Sequence, residues 1–588
     1  MKYRQTDVFQ RGEAEFGAES HGNIRSAPVR SPSGKKGVQF PMSERTTITN
    51  PVLRGFNPDP SICAFGDEYY VATSTFEWFP GVRIYKSRDL KHWKLAARPL
   101  DRVSQLDMRG NPDSGGVWAP QLSHSDGKFW LIYSDMKTVS GAFKDGRNYL
   151  AVCETIDGKW SDPVSLNSSG FDPSLFHDGD GKKYLVNMFW NPKAEEHSFH
   201  GIVMQEYSAE LGRLVGEAGI IFKGSEYGVT EAPHLYRVGG YYYLLTAEGG
   251  TGYGHMTTVA RSKNIGGPYE LHPENPLITS RFDPENPLQK AGHASLVHAR
   301  DDRWYMAYLM GRPIEGDKSY RDKYGQYAKS ENLDRGYCPL GRETSLAEIE
   351  WRDGWPYVLG GNRPSPTIRC GLAESPWEAP PTGLFDGGRL NPDFQTLRRP
   401  LGEDAMSLTA RPGNLRLCGA DSLASVFDQS HVARRWQCLD FDAATSVAFV
   451  PKNIQQMAGM SNYYNTANWT AFYVTHSETK GRVLDLMVAD NGVFSNPIRG
   501  GEIPVPEGAE YVGLMTKVRG GSYTYHYSFD EASWHEVPEG FPTHKLSDDY
   551  VRGSAFTGAF VGMFCTDGSG TKLHADFRGF SYLENPQS

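Results

Sequence analysis

Asp172-Pro173-Ser174-Leu175, the turn pair Asp180-Gly181, and Lys183-Tyr184-Leu185-Val186-Asn187 together form one unit. A strand opens on a polar residue and a proline, turns tightly, and returns as a strand of aromatic and β-branched side chains. Two further copies read Asp59-Pro-Ser-Ile, Gly66-Asp67, Tyr69-Tyr-Val-Ala-Thr and Ala119-Pro-Gln-Leu, Asp126-Gly127, Phe129-Trp-Leu-Ile-Tyr. Another reads Ala232-Pro-His-Leu, Gly239-Gly240, Tyr241-Tyr-Tyr-Leu-Leu. The last, without proline, reads His293-Ala-Ser-Leu, Asp301-Asp302, Trp304-Tyr-Met-Ala-Tyr. The period of roughly 55–60 residues is long enough for a four-stranded blade with its loops. Five copies predict a five-bladed β-propeller over residues 46–360. A two-sheet sandwich has no need of five units at near-constant spacing.

Outward from this repeat the pattern changes. Residues 361–380 are proline-rich around Pro364, Pro366 and Pro376, with Pro380 and Pro381 at their end, and read as a linker. Short strands then resume without the repeat, as in Ser446-Val-Ala-Phe-Val, Trp469-Thr-Ala-Phe-Tyr-Val and Tyr523-Thr-Tyr-His-Tyr. These predict a β-sandwich (jelly-roll or concanavalin-like) over 381–588, so the whole chain is expected to be all-β. Residues 1–45 are polar and aperiodic, and read as a disordered leader or non-native tail, with Met42 a candidate start.

A net charge of −9 argues against nucleic acid as a partner, because phosphate binding needs a basic footprint. No apolar run approaches the about 20 residues of a membrane helix. The seven cysteines are odd in number and scattered, with no CxxC pair, and no apolar leader precedes a cleavage site. The expected location is cytoplasmic.

In a propeller the innermost strands line the axis, so equivalent positions of the five units converge. They bring together Asp59, Asp172 and Glu231, which lies just before Ala232-Pro233, with Trp118 matching Glu231 in the second unit and His293 in the fifth. One Asp-Pro pair is ordinary turn chemistry. Three acids converging on one pocket repel one another and raise at least one pKa, an arrangement kept for catalysis or for a cation. A protonated acid paired with an ionised carboxylate is the equipment of glycoside hydrolysis. Phe76, Trp118 and Trp190 are candidates to pack on a sugar ring.

The runs Gly55-Phe-Asn-Pro-Asp-Pro-Ser-Ile, Ser74-Thr-Phe-Glu-Trp-Phe-Pro-Gly, Gly116-Val-Trp-Ala-Pro, Phe171-Asp-Pro-Ser-Leu-Phe, Thr230-Glu-Ala-Pro-His-Leu and Gly341-Arg-Glu-Thr-Ser-Leu closely resemble β-xylosidases of glycoside hydrolase family 43. The resemblance covers about residues 48–588. It implies an inverting, exo-acting hydrolase releasing xylose from β-1,4-xylo-oligosaccharides, with Asp59 as general base, Glu231 as general acid, and Asp172 raising the acid's pKa and orienting it. It further implies that Arg342 holds sugar hydroxyls, and that Phe76, Trp118, Trp190 and Thr251 shape the subsites. Phe556, from the sandwich, is expected to reach into the pocket.

His293 is open between a core residue, a neighbour of Arg342 and a water-mediated ligand of a central cation. No cofactor is required, and a calcium ion in the channel is an option that some family members use. The resemblance also implies a homo-oligomer, dimer or tetramer. The rival activity is α-L-arabinofuranosidase, alone or alongside the first. A non-catalytic sugar-binding propeller has no use for the acid trio, and an interaction scaffold predicts an axis without it.

Overall fold

The computed structural model describes residues 45–585, apart from residue 194 and residues 317–334, 379–382 and 387–388. The expected leader therefore lies, but for Arg45, outside the described residues. Five antiparallel sheets of four strands follow in chain order, the fourth with the short extra strand Ile278–Thr279. Their innermost strands are Ser61–Phe65, Gly116–Ser125, Ser174–His177, Glu231–Val238 and Gln289–His298. The aromatic strands of the repeat form the second strand of each blade: Glu68–Thr73, Lys128–Met136, Lys183–Trp190, Tyr241–Glu248 and Trp304–Gly311. The propeller expectation is met.

These second strands are apolar on both faces because each blade is packed between two others. In Lys128–Met136, Phe129, Leu131 and Tyr133 pack with Tyr70, Ala72 and Ile84 of the first blade. The alternate residues Trp130 and Ile132 pack with Leu175 and Leu185 of the third. Val186 and Met188 meet Leu235 and Leu244 at the next junction. Tyr243 and Leu245 then meet Met306 and Tyr308, and Tyr305 and Ala307 meet Tyr69 and Val71 to complete the ring. A period of two thus serves five inter-blade cores.

The inner edge of each innermost strand has no strand beside it, so its backbone groups need other partners. Side chains supply them at every junction. Ser61 Oγ accepts from Leu122 N–H at 3.1 Å, and Gln121 Oε1 accepts from Leu175 N–H at 3.1 Å. Ser174 donates to the Pro233 carbonyl at 2.5 Å, and Tyr236 OH accepts from Leu296 N–H at 2.7 Å. Ser295 closes the circle, accepting from Ile62 N–H at 2.9 Å and donating to the Pro60 carbonyl at 2.8 Å. The chain is further clasped by Thr46–Thr49, which pairs antiparallel with Thr367–Cys370 inside the proline-rich 361–380 segment. Asn50 pins this clasp to the fifth blade through both Leu346 backbone groups.

The C-terminal domain is a sandwich of two seven-stranded sheets. In the outer sheet, strand Asp440–Ala448 alternates between half-buried and buried residues. The inner sheet has strands buried nearly throughout, such as Asn468–Ser477 and Phe560–Asp567. One of its faces meets the outer sheet through Val432, Met460, Phe472 and Met563. The other meets the propeller, where Tyr463, Trp469, Tyr473, Phe560 and Phe564 share a core with Phe56, Phe76 and Trp78. Trp78 is fully buried and stacks on Phe560 with ring centroids 3.6 Å apart. No helix of the described residues is long and apolar enough to cross a membrane.

Removing that indole leaves a cavity where the two domains share one core. Trp78→Ala is expected to destabilise the protein by about 3–5 kcal/mol. Thermal and urea unfolding check it, and an unchanged midpoint would show that the domains are held elsewhere.

Candidate active site

Each innermost strand carries a kink at the same place. Asp59, Ala119, Asp172, Ala232 and His293 have φ of 54, 38, 55, 50 and 48°. For residues other than glycine this left-handed conformation costs roughly 1–2 kcal/mol. The second, fourth and fifth blades show a break in ladder register there, between Trp118 and Gln121, Glu231 and His234, and Gly292 and Ser295. Four of the five kinks precede a proline, which has no N–H to leave unpaired. A bulge of this kind re-aims side chains, and here the result is that Asp59, Asp172 and Glu231 interact within one pocket.

Asp59 is buried and heavily partnered. One oxygen accepts from Arg342 Nη1 at 3.0 Å and lies 3.6 Å from His293 Nδ1; the other accepts from Ser74 Oγ at 2.5 Å. Burial pushes its carboxyl up, but the Arg342 guanidinium, His293 and the Ser74 hydroxyl outweigh this and hold it below the ordinary aspartate range. Asp172 receives less help. Burial and the Asp59 charge push it up to about 8, against the pull of Arg342. Glu231 is lifted well above the ordinary glutamate range by burial, then by Asp172 and Asp59. One cation among three acids leaves one carboxylate ionised and the others inclined to keep their protons.

Arg342 is 3% exposed, and both of its terminal nitrogens are engaged. Beyond Asp59, its Nη1 donates to Thr251 Oγ1 at 2.9 Å and its Nη2 to the Phe556 carbonyl at 3.0 Å. Its guanidinium lies over the Phe76 and Phe556 rings, 5.6 and 5.8 Å from their centroids. Phe556 therefore does come across from the sandwich, on the loop before strand Phe560–Asp567. Phe76 and Trp118 are 6.0 and 5.5 Å from it, and Phe171, next to Asp172, continues the aromatic wall 5.3 Å from Trp118. Trp190 extends the wall 6.0 Å from Phe171, its indole N–H donating to the Ala142 carbonyl at 2.9 Å. All ten candidate residues thus fall into one connected cluster.

Three contributors lie outside that set. Ser74 sits under Asp59 and also accepts from Ala119 N–H at 2.7 Å. It belongs to the Ser74-Thr-Phe-Glu-Trp run, which was the available signal. His255 lies near Asp59 and His293, bonds to the Lys290 carbonyl through Nδ1 at 3.0 Å, and is pushed down to about 3 by burial and by His293. Glu248 accepts from Thr230 Oγ1 at 2.8 Å and from Ser225 N–H at 2.9 Å, fixing the loop that delivers Glu231. Its place in the second strand of the fourth blade gave no sequence signal.

Among the described residues no group of three or more His, Cys, Asp or Glu side chains is placed to hold a metal ion. His293 itself turns its Nδ1 to Asp59, at 3.6 Å.

Residues 48–356 match the family described as Glycosyl hydrolases family 43, and residues 384–583 match the Beta xylosidase C-terminal Concanavalin A-like domain. A beta-xylosidase of Bacillus subtilis is 56% identical over 541 residues, 91% of this chain and 99% of that protein. The crystal structure of a xylan beta-1,4-xylosidase from Bacillus halodurans, 46% identical, superposes with a TM-score of 0.86 over 91% of this chain and 100% of that one. A non-reducing end alpha-L-arabinofuranosidase of Bacteroides ovatus is 32% identical over 91% of this chain and 94% of its own length. With an acid trio at the axis of five blades and a sandwich closing on it, the chain belongs to glycosyl hydrolase family 43.

Proposed function

We propose that this protein is an exo-acting, inverting β-xylosidase that releases xylose from the non-reducing ends of β-1,4-xylo-oligosaccharides. The observation that carries this reading is the placing of one guanidinium among three acids: Arg342 Nη1 bonds to Asp59 at 3.0 Å and to neither of the others, which favours Asp59 ionised and Glu231 protonated. In that state Asp59 takes a proton from the attacking water while Glu231 gives one to the departing glycosidic oxygen. The water adds to the face of the sugar opposite the leaving group, so the product anomer is inverted. Asp172, between them in charge terms, opposes ionisation of Glu231 as its own proton is lost. Phe556 and the sandwich loop bearing it favour a blind pocket that admits a chain end. The relatives named for β-xylosidase activity support xylose as the sugar.

Replacing either proton-transfer partner by alanine, in Asp59→Ala or Glu231→Ala, is expected to cut kcat by about 10²–10⁴-fold. The loss in Glu231→Ala should shrink on aryl xylosides whose leaving groups need no protonation. NMR of the first product formed from a β-linked substrate should show α-xylose; β-xylose first would overturn both assignments.

Asp172→Asn removes a carboxyl that becomes a negative neighbour of Glu231 once its own proton is lost, at about pH 8, so the acid's pKa should fall. The basic limb of the kcat/KM profile then moves to lower pH, with loss of rate, while the acidic limb, set by Asp59, moves less. A basic limb that stays in place would remove Asp172 from this role.

The alternative sugar is arabinose, favoured by the Bacteroides ovatus relative. Aryl β-xyloside and aryl α-L-arabinofuranoside assayed side by side separate the two. A kcat/KM higher on the arabinofuranoside would make arabinose, and not xylose, the sugar this pocket serves.

A further inference from the structure

Phe556 and Trp118 belong to different domains, yet both are held by the same residue. The Ser114 hydroxyl accepts from the Phe556 N–H at 3.0 Å, and the Ser114 carbonyl accepts from the Trp118 indole N–H at 2.8 Å. Its own N–H donates to Glu77 Oε2 at 3.1 Å. Every polar group of Ser114 is thus committed, and the residue is fully buried with φ of 60°. A serine held in the left-handed region is strained, and strain persists where the surroundings over-determine it. The turn is tight as well: a Cβ on Gly116 would lie 2.5 Å from the Phe76 carbonyl oxygen.

Glu77 anchors this turn to the domain boundary. It is fully buried; its backbone carbonyl accepts from Arg398 N–H at 2.7 Å, and the Arg398 guanidinium pairs with Asp113 at 2.8 Å. Asp113 in turn accepts from Thr466 Oγ1 of the sandwich at 2.5 Å. These groups are tied to the turn and to the sandwich, and not to the acid trio, so none is a catalytic residue.

We infer that Ser114, braced by Glu77, is a positioning residue that sets the gap between the Trp118 and Phe556 rings and thereby the affinity of the pocket for a terminal sugar. The inference rests on the assignment of this pocket to xyloside hydrolysis. Phe556 is tied on its other side by its carbonyl to Arg342 and, one residue on, by Thr557 N–H to Tyr464 OH at 3.3 Å. With the Ser114 hydroxyl gone the loop keeps those two ties and loses the one facing Trp118. Its effect should therefore fall on binding.

The test is steady-state kinetics on xylobiose with Ser114→Ala, Phe556→Ala and the double variant. Ser114→Ala should raise KM roughly tenfold, as one buried N–H loses its acceptor, with kcat within about threefold of the parent. In the Phe556→Ala background, which lacks the ring being placed, the same change should leave KM nearly unmoved. Glu77→Gln, which keeps an oxygen for the Ser114 N–H, should hold KM within about twofold, whereas Glu77→Leu should behave like Ser114→Ala. Loss of kcat with unchanged KM, the mark of fewer intact sites, would overturn the proposal, as would effects of Ser114→Ala and Phe556→Ala that simply multiply. A parent protein that releases no xylose would instead overturn the assignment of the pocket.

Discussion

A propeller depends on what happens at its inner edge. Each innermost strand has a neighbour on one side only, and the free side faces an axis that four other strands share. In this protein the edge is satisfied by side chains reaching sideways, with Ser61, Gln121, Ser174, Tyr236 and Ser295 serving the five junctions in turn. That ring fixes how far each innermost strand stands from the next. The kinks at Asp59, Asp172 and their three counterparts lie a few residues before it, so their side chains inherit the same spacing.

The electrostatics follow from that geometry and from one asymmetry. Three carboxyls share a buried pocket with a single guanidinium, and Arg342 bonds directly to Asp59 alone among them. Charge neutrality then assigns the states: the acid with the cation ionises, and its ionisation makes ionisation harder for the other two. The roles of base and acid need no difference in residue type, since they come from where one arginine is tied. The ties on its far side, to Thr251 and to the Phe556 carbonyl, therefore belong to the chemistry as much as to the packing.

Much of this was legible in the chain itself. Strand periodicity and turn pairs located all five blades, because packing between two neighbours demands apolar residues on both faces of Phe129–Tyr133 and its counterparts. The repeat alone brought Asp59, Asp172 and Glu231 together, since equivalent positions must converge at an axis. What pattern could not reveal is conformation at the kinks: Asp-Pro reads as the start of an extended strand, whereas Asp59 and Asp172 are left-handed. It also could not reveal Ser114 or Glu248, whose importance lies in hydrogen bonds to residues distant in the chain or on another element. Nothing in a proline-rich stretch announces that Thr367–Cys370 will pair with Thr46–Thr49.

The bond from Arg342 to the Phe556 carbonyl spans 214 residues of chain, and this has a consequence for how the protein comes into being. Synthesis runs from the N-terminus at roughly 5–20 residues per second, so on the order of ten to forty seconds separate the appearance of the two partners. Throughout that interval the blades can assemble on the ribosome, but the arginine that sorts the acids lacks one of its ties and the aromatic wall lacks its last ring. The final strand, His574–Glu584, lies in the middle of its sheet between Asn414–Cys418 and Asp440–Ala448, so the sandwich cannot close early either. A nascent chain of this protein is therefore a folded shape before it is a finished site, and its chemistry waits for the sandwich.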